Sequence, residues 1–449
     1  MFSKRWPNSH HFGDKITFFL NIINKIVKFF EICIFVASIM IGKGFMKIQI
    51  KSLIISILLL MSVGLPASAQ RLSDRYFGIS KQDFVDTIKI EIWDGAIIVP
   101  VEIEGKAYNM LFDTGAGMGF WIGKEEEWMR PSGDTITTMD AQKRKKKTAM
   151  MFIPSIQVGS LTILNYPVVV DEGLNDFACG SIDGAFGFDL VSKGISFKFD
   201  TRDSLLIMTS HHKIFAKEEK GHAKVPYKVY SNRPFLWTKI PFARPRMLFD
   251  MGAVGGWFGL PQDLLDLWAK NDPKIKQQLD EMTVNRDTTV MTYAGLFGAN
   301  YDTVVNGELC FPEIEIGDIV LKEVWVSTAT HNRAIGSAIL KNLSLIIDAP
   351  KKCFYFLPHD GNPEITVANR GKGVNVVPAE EGDPNGALKA LVRKGTKAYE
   401  YGLRTGDYLI SVDGVPISDM CTYMRLMRKK GATHIVFRSP EGEIKEVEW

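Results

Sequence analysis

Residues 110–123 read MLFDTGAGMGFWIG. This is either a glycine-rich loop cradling a phosphate through Gly115, Gly117 and Gly119, or an aspartate presented at the end of an apolar strand. Residues 247–260, MLFDMGAVGGWFGL, supply an internal control. Met-Leu-Phe-Asp recurs unchanged and Gly-Ala follows two places on, while the later glycine spacing is lost. The shared element is therefore the aspartate, Asp113 in one copy and Asp250 in the other, and the glycines are its setting. A dinucleotide-binding fingerprint also fails on its final glycine spacing, on the lack of a following helical pattern and on β-rich flanks.

Two further matches follow each aspartate in the same order. FIPSIQVGSLTILNYPVVV (152–170) aligns with FPEIEIGDIVLKEVWV (311–326), and period-two alternation on both sides of Gly159 and Gly317 predicts β-hairpins. GAFGFDLVSKGISFKFDTRDSLLIM (184–208) aligns with RAIGSAILKNLSLIIDAPKKCFYFL (333–357), each with two apolar residues, a glycine, an apolar turn and a strand pair. Three ordered matches define one duplicated, mostly β unit with loops of unequal length, at about 75–215 and 223–360.

The remaining segment, 363–449, is patterned differently. KAYEYGLRTGDYLISVDGVPI (397–417) holds a short helical stretch, a Gly-Leu turn, Gly406-Asp407, a strand and an Asp413-Gly414 turn. It resembles the central signature of PDZ domains, which bind extended peptides by adding a strand to a sheet edge. That resemblance implies a peptide or C-terminal ligand gripped near Gly371, Gly373 and Val374, and a helix over Asp419–Lys430.

The paired Phe-Asp-x-Gly segments, each followed by an apolar-apolar-Gly element, resemble the two-lobed aspartic peptidases. Asp113-Thr114-Gly115-Ala116 carries the Asp-Thr-Gly-Ala motif of the retropepsin-like branch. Over residues 75–360 the resemblance implies a mainly β fold of duplicated aspartic-peptidase-like barrel lobes with a central cleft, each lobe giving one catalytic aspartate, Asp113 or Asp250. Two adjacent carboxyl groups cannot both ionise cheaply, so one keeps a proton while the other takes a proton from a water. Gly115 and Gly252 allow tight turns beneath the carboxylates, with Ala116 and Ala253 completing them. Family members use the residue after each aspartate to bond across to the other lobe. Thr114 can do this; Met251 cannot, because a thioether has no donor. An alternative is therefore a catalytically inactive peptide-binding or scaffold protein, and a third a purely structural envelope protein. Hairpins over the cleft are expected within Thr135–Met151, where Lys143–Lys147 are all basic, and within Thr288–Cys310, whose Gly295, Gly298 and Tyr301 suit a lid.

At 449 residues, two or three domains are expected, and 46% hydrophobic with 23% charged residues describes a folded chain. The formal charge of +3 misleads: residues 1–69 carry eight Lys/Arg and two Asp/Glu, and without them 46 basic side chains face 49 acidic ones. Nucleic acid is thereby disfavoured as a partner; polypeptide substrates are the expected one. MKIQIKSLIISILLLMSVGLPASAQ, from Met46, has the charged start, apolar middle and Ala67-Ser68-Ala69 cleavage site of a signal peptide over 46–69. Export to the periplasm or the external medium follows. Residues 1–45 are either untranslated, with synthesis starting at Met46, or a membrane anchor, and only in the second case is a membrane a partner. Of Cys179, Cys310, Cys353 and Cys421, none has zinc-ligand spacing, and no HExxH occurs, so no metal or cofactor is implied. Cys310 with Cys353 is the one disulfide pairing entertained, against four buried thiols.

Overall fold

The computed structural model describes residues 77–448 apart from 176–178, 212, 291–292, 301–302, 368–372, 381–382, 384–385 and 428–433. The N-terminal extension, the segment 46–69 and Tyr301 lie outside the described residues. The described chain is mainly β.

Each aspartate terminates a strand buried on both faces, which explains the continuous apolar runs at 110–112 and 247–249. In Lys106–Phe112, Met110 and Phe112 enter the main core, while Leu111 turns to a second cluster with Ile98, Phe120 and Ala185. The short strand Gly184–Phe186 runs parallel to the Asp113 strand, with Ala185 opposite Leu111, and antiparallel to Gly119–Ile122. In the second lobe Ala334–Ile335 pairs in the same two senses with Arg246–Phe249 and Phe258–Gly259. The hairpins around Gly159 and Gly317 also match, both glycines having positive φ, of 57° and 66°.

The lobes are joined by six neighbouring strands of a 14-stranded sheet, in the order Val85–Lys89, Leu205–Thr209, Ser196–Asp200, Leu343–Asp348, Cys353–Pro358, Val225–Tyr230. At its centre Phe197 pairs with Ile347, Lys198 with Ile346 and Phe199 with Leu345. The copies are offset here by 148 residues (Asp200 to Asp348), so Phe197 corresponds to Leu345 and Phe199 to Ile347. The pairing is therefore symmetric about Lys198–Ile346, and an approximate two-fold axis runs through that pair.

Both expected cleft hairpins form. The first joins Arg130–Met139 to Lys145–Val158, and the second joins Thr283–Val290 to Thr303–Ile316, with Tyr293–Gly295 against Gly298–Asn300 at its tip. An unforeseen helical pair, Gln262–Asn271 and Pro273–Met282, precedes the second hairpin; Asp272 caps its second helix by accepting from the Lys274 amide at 2.9 Å, with Pro273 at the first turn. Glu364–Thr366 adds in parallel to the second-lobe strand Ile319–Ser327. The C-terminal module then builds its own sheet from Val374 onward around Leu388, Ala390, Leu403, Leu409 and Phe437. Its helix spans Met420–Met427. Asp407 is buried there and holds the Arg404 amide (2.8 Å) and Lys445 Nζ (2.9 Å).

The cysteine expectation is overturned. Cys179 and Cys421, 242 residues apart, form a disulfide between the first lobe and the C-terminal module. Cys310 and Cys353 are not bonded to each other and keep their thiols. Cys310 lies on the second hairpin, opposite Trp325, whereas Cys353 is buried in the lobe-joining sheet, so closeness in sequence did not bring them together. Thiol titration of an unfolded, unreduced chain spanning 71–449 should count the two thiols of Cys310 and Cys353, and reduction should release Cys179 and Cys421 as well. Reduction is also expected to lower stability by about 2–4 kcal/mol, read from the denaturation midpoint.

Candidate active site

The two aspartates meet on the approximate two-fold axis, each held by its own lobe in the same way. The Asp113 amide donates to Phe186 O and the Asp250 amide to Ile335 O, both at 2.9 Å. Asp113 Oδ1 accepts from the amides of Gly115 (2.7 Å) and Ala116 (3.1 Å). Asp250 Oδ1 accepts from the Ala253 amide (3.1 Å), and the Gly252 amide also bonds this carboxylate. Each carboxylate lies over the glycine of the opposite motif. A Cβ on Gly115 would stand 2.2 Å from Asp250 Oδ1, and one on Gly252 2.4 Å from Asp113 Oδ1. Only glycine fits at either place.

The carboxyl groups are hydrogen-bonded to each other in a half-buried setting over the apolar core. Burial is the largest influence on both and raises both; for Asp113 the neighbouring Asp250 charge adds to it, and the group is pushed up to about 8. On Asp250 the amides, the bond from Asp113 and the Arg233 guanidinium work in the opposite direction. At neutral pH the pair thus holds one proton between two carboxylates, and that proton belongs to the pair.

The cross-brace is one-sided. Thr114 Oγ1 donates to Phe249 O at 2.6 Å and accepts from the Met251 amide at 2.9 Å. Met251 is fully buried and packs into the main apolar core. Reciprocal hairpin turns supply other interlobe contacts. The Asp94-Gly95 turn reaches the second lobe, where the Gly255 amide donates to Asp94 O (3.1 Å) and Lys341 pairs with its carboxylate. The turn at Ser231-Asn232 reaches the first lobe, where a Cβ on Gly117 would lie 2.4 Å from Ser231 O.

Three features escaped the sequence reading. Beneath Asp113, the buried Tyr166 hydroxyl donates to Asp189 Oδ1 and accepts from the Gly187 amide, both at 2.9 Å. Burial raises Asp189 to about 7. An acid inside the apolar run Phe188-Asp189-Leu190-Val191 was the available signal. Arg233, at the start of the strand Arg233–Trp237 and outside the matched stretches, acts on Asp250 electrostatically. The third feature is the roof: Arg144 of the first hairpin donates to Gly298 O of the second at 2.7 Å, and Asp140 holds Arg144.

The structure gathers Asp113, Thr114, Gly115, Ala116, Asp250, Met251, Gly252 and Ala253 into one place. Gly373 and Val374 lie in the separate C-terminal module, and Gly371 falls outside the described residues. Gly373 has φ 78° and is pressed against Thr396, while Val374 opens an edge strand. A cavity of about 180 Å³ lined by Gln262, Leu265, Lys276 and Arg286 borders neither aspartate.

These observations define a two-lobed, pepsin-like architecture with its aspartates paired at the lobe boundary. No family model matches the chain, and no curated protein matches it. Among solved structures the chain is similar to basic 7S globulin from soybean, at 9% identity and a TM-score of 0.38, over 61% of this chain and 95% of that one.

The buried acids set a pH prediction. As pH rises through the ordinary carboxyl range near 3.8, the unfolded chain releases protons that folded Asp113 and Asp189 retain. Folded binding of protons exceeds unfolded binding, so stability from these groups is full at acid pH and is lost on the way to about 7–8. Asp113→Asn should raise the thermal midpoint at about pH 8 and leave it nearly unchanged at about pH 4.

Proposed function

We propose that the mature chain is an exported aspartic endopeptidase whose Asp113–Asp250 pair activates water against a peptide bond. The observation that carries this reading is the mutually hydrogen-bonded carboxyl pair, each member fixed by the amides of its own turn. In that arrangement the ionised carboxylate accepts a proton from water as the oxygen attacks the peptide carbonyl. The carboxyl proton stabilises the oxygen that becomes negative, and a proton then passes to the leaving amine as the C–N bond breaks. Burial keeps both states accessible near neutral pH without a cofactor.

The C-terminal module is proposed to be PDZ-like and to hold an extended peptide. Its signature segment supports this, as does Val374–Pro378, an edge strand paired on one side with Leu388–Val392. Export is supported by the signal pattern at 46–69 and by the Cys179–Cys421 disulfide, which persists in oxidising compartments.

A second reading, a peptide-binding protein without catalysis, is favoured by one observation: the missing half of the cross-brace at Met251. Each lost hydrogen bond weakens placement of the pair by about 0.5–1.5 kcal/mol. Incubation of mature protein with denatured polypeptides between acidic and neutral pH separates the two. The peptidase should generate new N-termini, and Asp113→Asn or Asp250→Asn should each cut the rate by about 10²–10⁴-fold. Intact polypeptide at every pH, with bound peptide recovered on the protein, would leave the binder.

A further inference from the structure

The cavity of about 180 Å³ that borders neither aspartate lies between the helical pair and the root of the second hairpin. Each helix turns one stripe of side chains toward it, at three- and four-residue spacings, and the two hairpin arms close it from the other side. The floor is apolar, made by the buried Leu265, Leu279 and Leu309. The rim is charged. On the second helix Lys276 Nζ pairs with Asp280 Oδ2 at 3.0 Å, so these two charges cancel. On the first, Asp266 Oδ1 accepts only from the neutral Gln262 Nε2, at 2.9 Å, and keeps its negative charge uncompensated. Across the cavity stands Arg286, on the hairpin arm Thr283–Val290, and its guanidinium has no hydrogen-bond or ion-pair partner among the described residues. Asp266 and Arg286 are both exposed, so the cavity is reached from solvent.

We infer that this cavity is a binding site for a free apolar amino acid of leucine size, separate from the aspartate pair and independent of whether the chain cleaves peptides. One unpaired charge of each sign over an apolar floor is the complement of such a molecule: Arg286 takes the α-carboxylate, Asp266 the α-ammonium, and the side chain covers Leu265, Leu279 and Leu309. The volume agrees, since an apolar cavity of about 150 Å³ already accepts a benzene-sized molecule. A purely anionic or purely cationic ligand would leave one of the two poles unanswered and face the other as a like charge. Arg286 and Leu309 belong to the two arms of the hairpin and Asp266 to a helix, so a bound amino acid ties the helical pair to the hairpin root.

Calorimetry of the purified protein with L-leucine, L-leucinamide and 4-methylpentanoate reads the two poles separately. L-Leucine should bind saturably at one site. Removing its carboxylate charge (leucinamide) or its ammonium (4-methylpentanoate) should weaken binding by about 10–100-fold, the worth of a hydrogen bond to a charged group. Arg286→Gln and Asp266→Asn, at exposed positions, should each weaken L-leucine by a similar factor. Ala269→Phe, which fills the cavity from the first helix, should abolish binding of all three compounds. Bound L-leucine should also slow amide exchange over 283–290 and 303–309 in the parent and not in Ala269→Phe. Asp113→Asn should bind L-leucine as the parent does. No saturable binding at millimolar L-leucine, equal binding of L-leucine and L-leucinamide, full binding retained by Arg286→Gln or Ala269→Phe, or binding lost in Asp113→Asn would each overturn the inference, and none of these results bears on peptide cleavage.

Discussion

Two half-buried carboxyl groups held against one another constrain everything else in this molecule. A lone ionised carboxylate in that setting would be strongly destabilised, and two would repel as well. The arrangement survives because the pair shares a proton and because turn amides from both lobes approach the oxygens. Each carboxylate takes the amides of its own turn, and the glycine of each turn leaves room for the opposite carboxylate, hence Gly115 and Gly252. The requirement that two aspartates reach one point from two lobes also explains the joining sheet, whose central pairing is symmetric about Lys198 and Ile346. Symmetry of the sheet is what brings equivalent strand ends to the same axis.

The two halves have nevertheless diverged where it affects placement. In the second lobe the Gly336 amide donates to a backbone carbonyl, Trp257 O, at 2.8 Å. In the first lobe the equivalent Gly187 amide donates to the Tyr166 hydroxyl, which leans on buried Asp189. The first aspartate therefore stands over a side-chain network containing a second acid, and the second over plain backbone. The brace between lobes has the same lopsidedness, since Thr114 makes both bonds and Met251 contributes apolar packing. Apolar packing at Met251 stabilises the lobe boundary without directing a carboxylate, which is why the fold can be sound while catalysis is the more delicate property.

The roof links these halves to the C-terminal module. Cys179, disulfide-bonded to Cys421, belongs to the loop that also contains Gly173, against which the second-lobe hairpin tip rests. Glu308, on an arm of that hairpin, is nearly buried and pairs with Arg393 of the module. Both attachments thus land on elements that hold the tip in place, and a buried charge pair there is costly to separate because it would leave Glu308 unpaired. The module is fastened to the elements around the hairpin tip, not to the strands that carry the aspartates.

Much of this was legible in the sequence, and the limits follow from the range of the interactions. The duplicated Leu-Phe-Asp, the apolar-apolar-Gly elements and the alternating runs about Gly159 and Gly317 are local patterns, and each encodes a strand or turn whose geometry is fixed within a dozen residues. Thr114 and Met251 were readable as an uneven brace because donor chemistry is a property of the residue itself. The disulfide was misread because pairing depends on where Cys179 and Cys421 arrive after 242 intervening residues, and no local pattern reports that. The same holds for the roof. Lys143–Lys147 look like a solvated charge run, yet Lys146 pairs with Asp171, and Arg144 bonds with Asp140 and reaches Gly298 O in the other lobe. A carboxylate four residues upstream and a glycine carbonyl 154 residues downstream convert part of a basic surface strip into a clasp, and only the folded chain supplies the second of these.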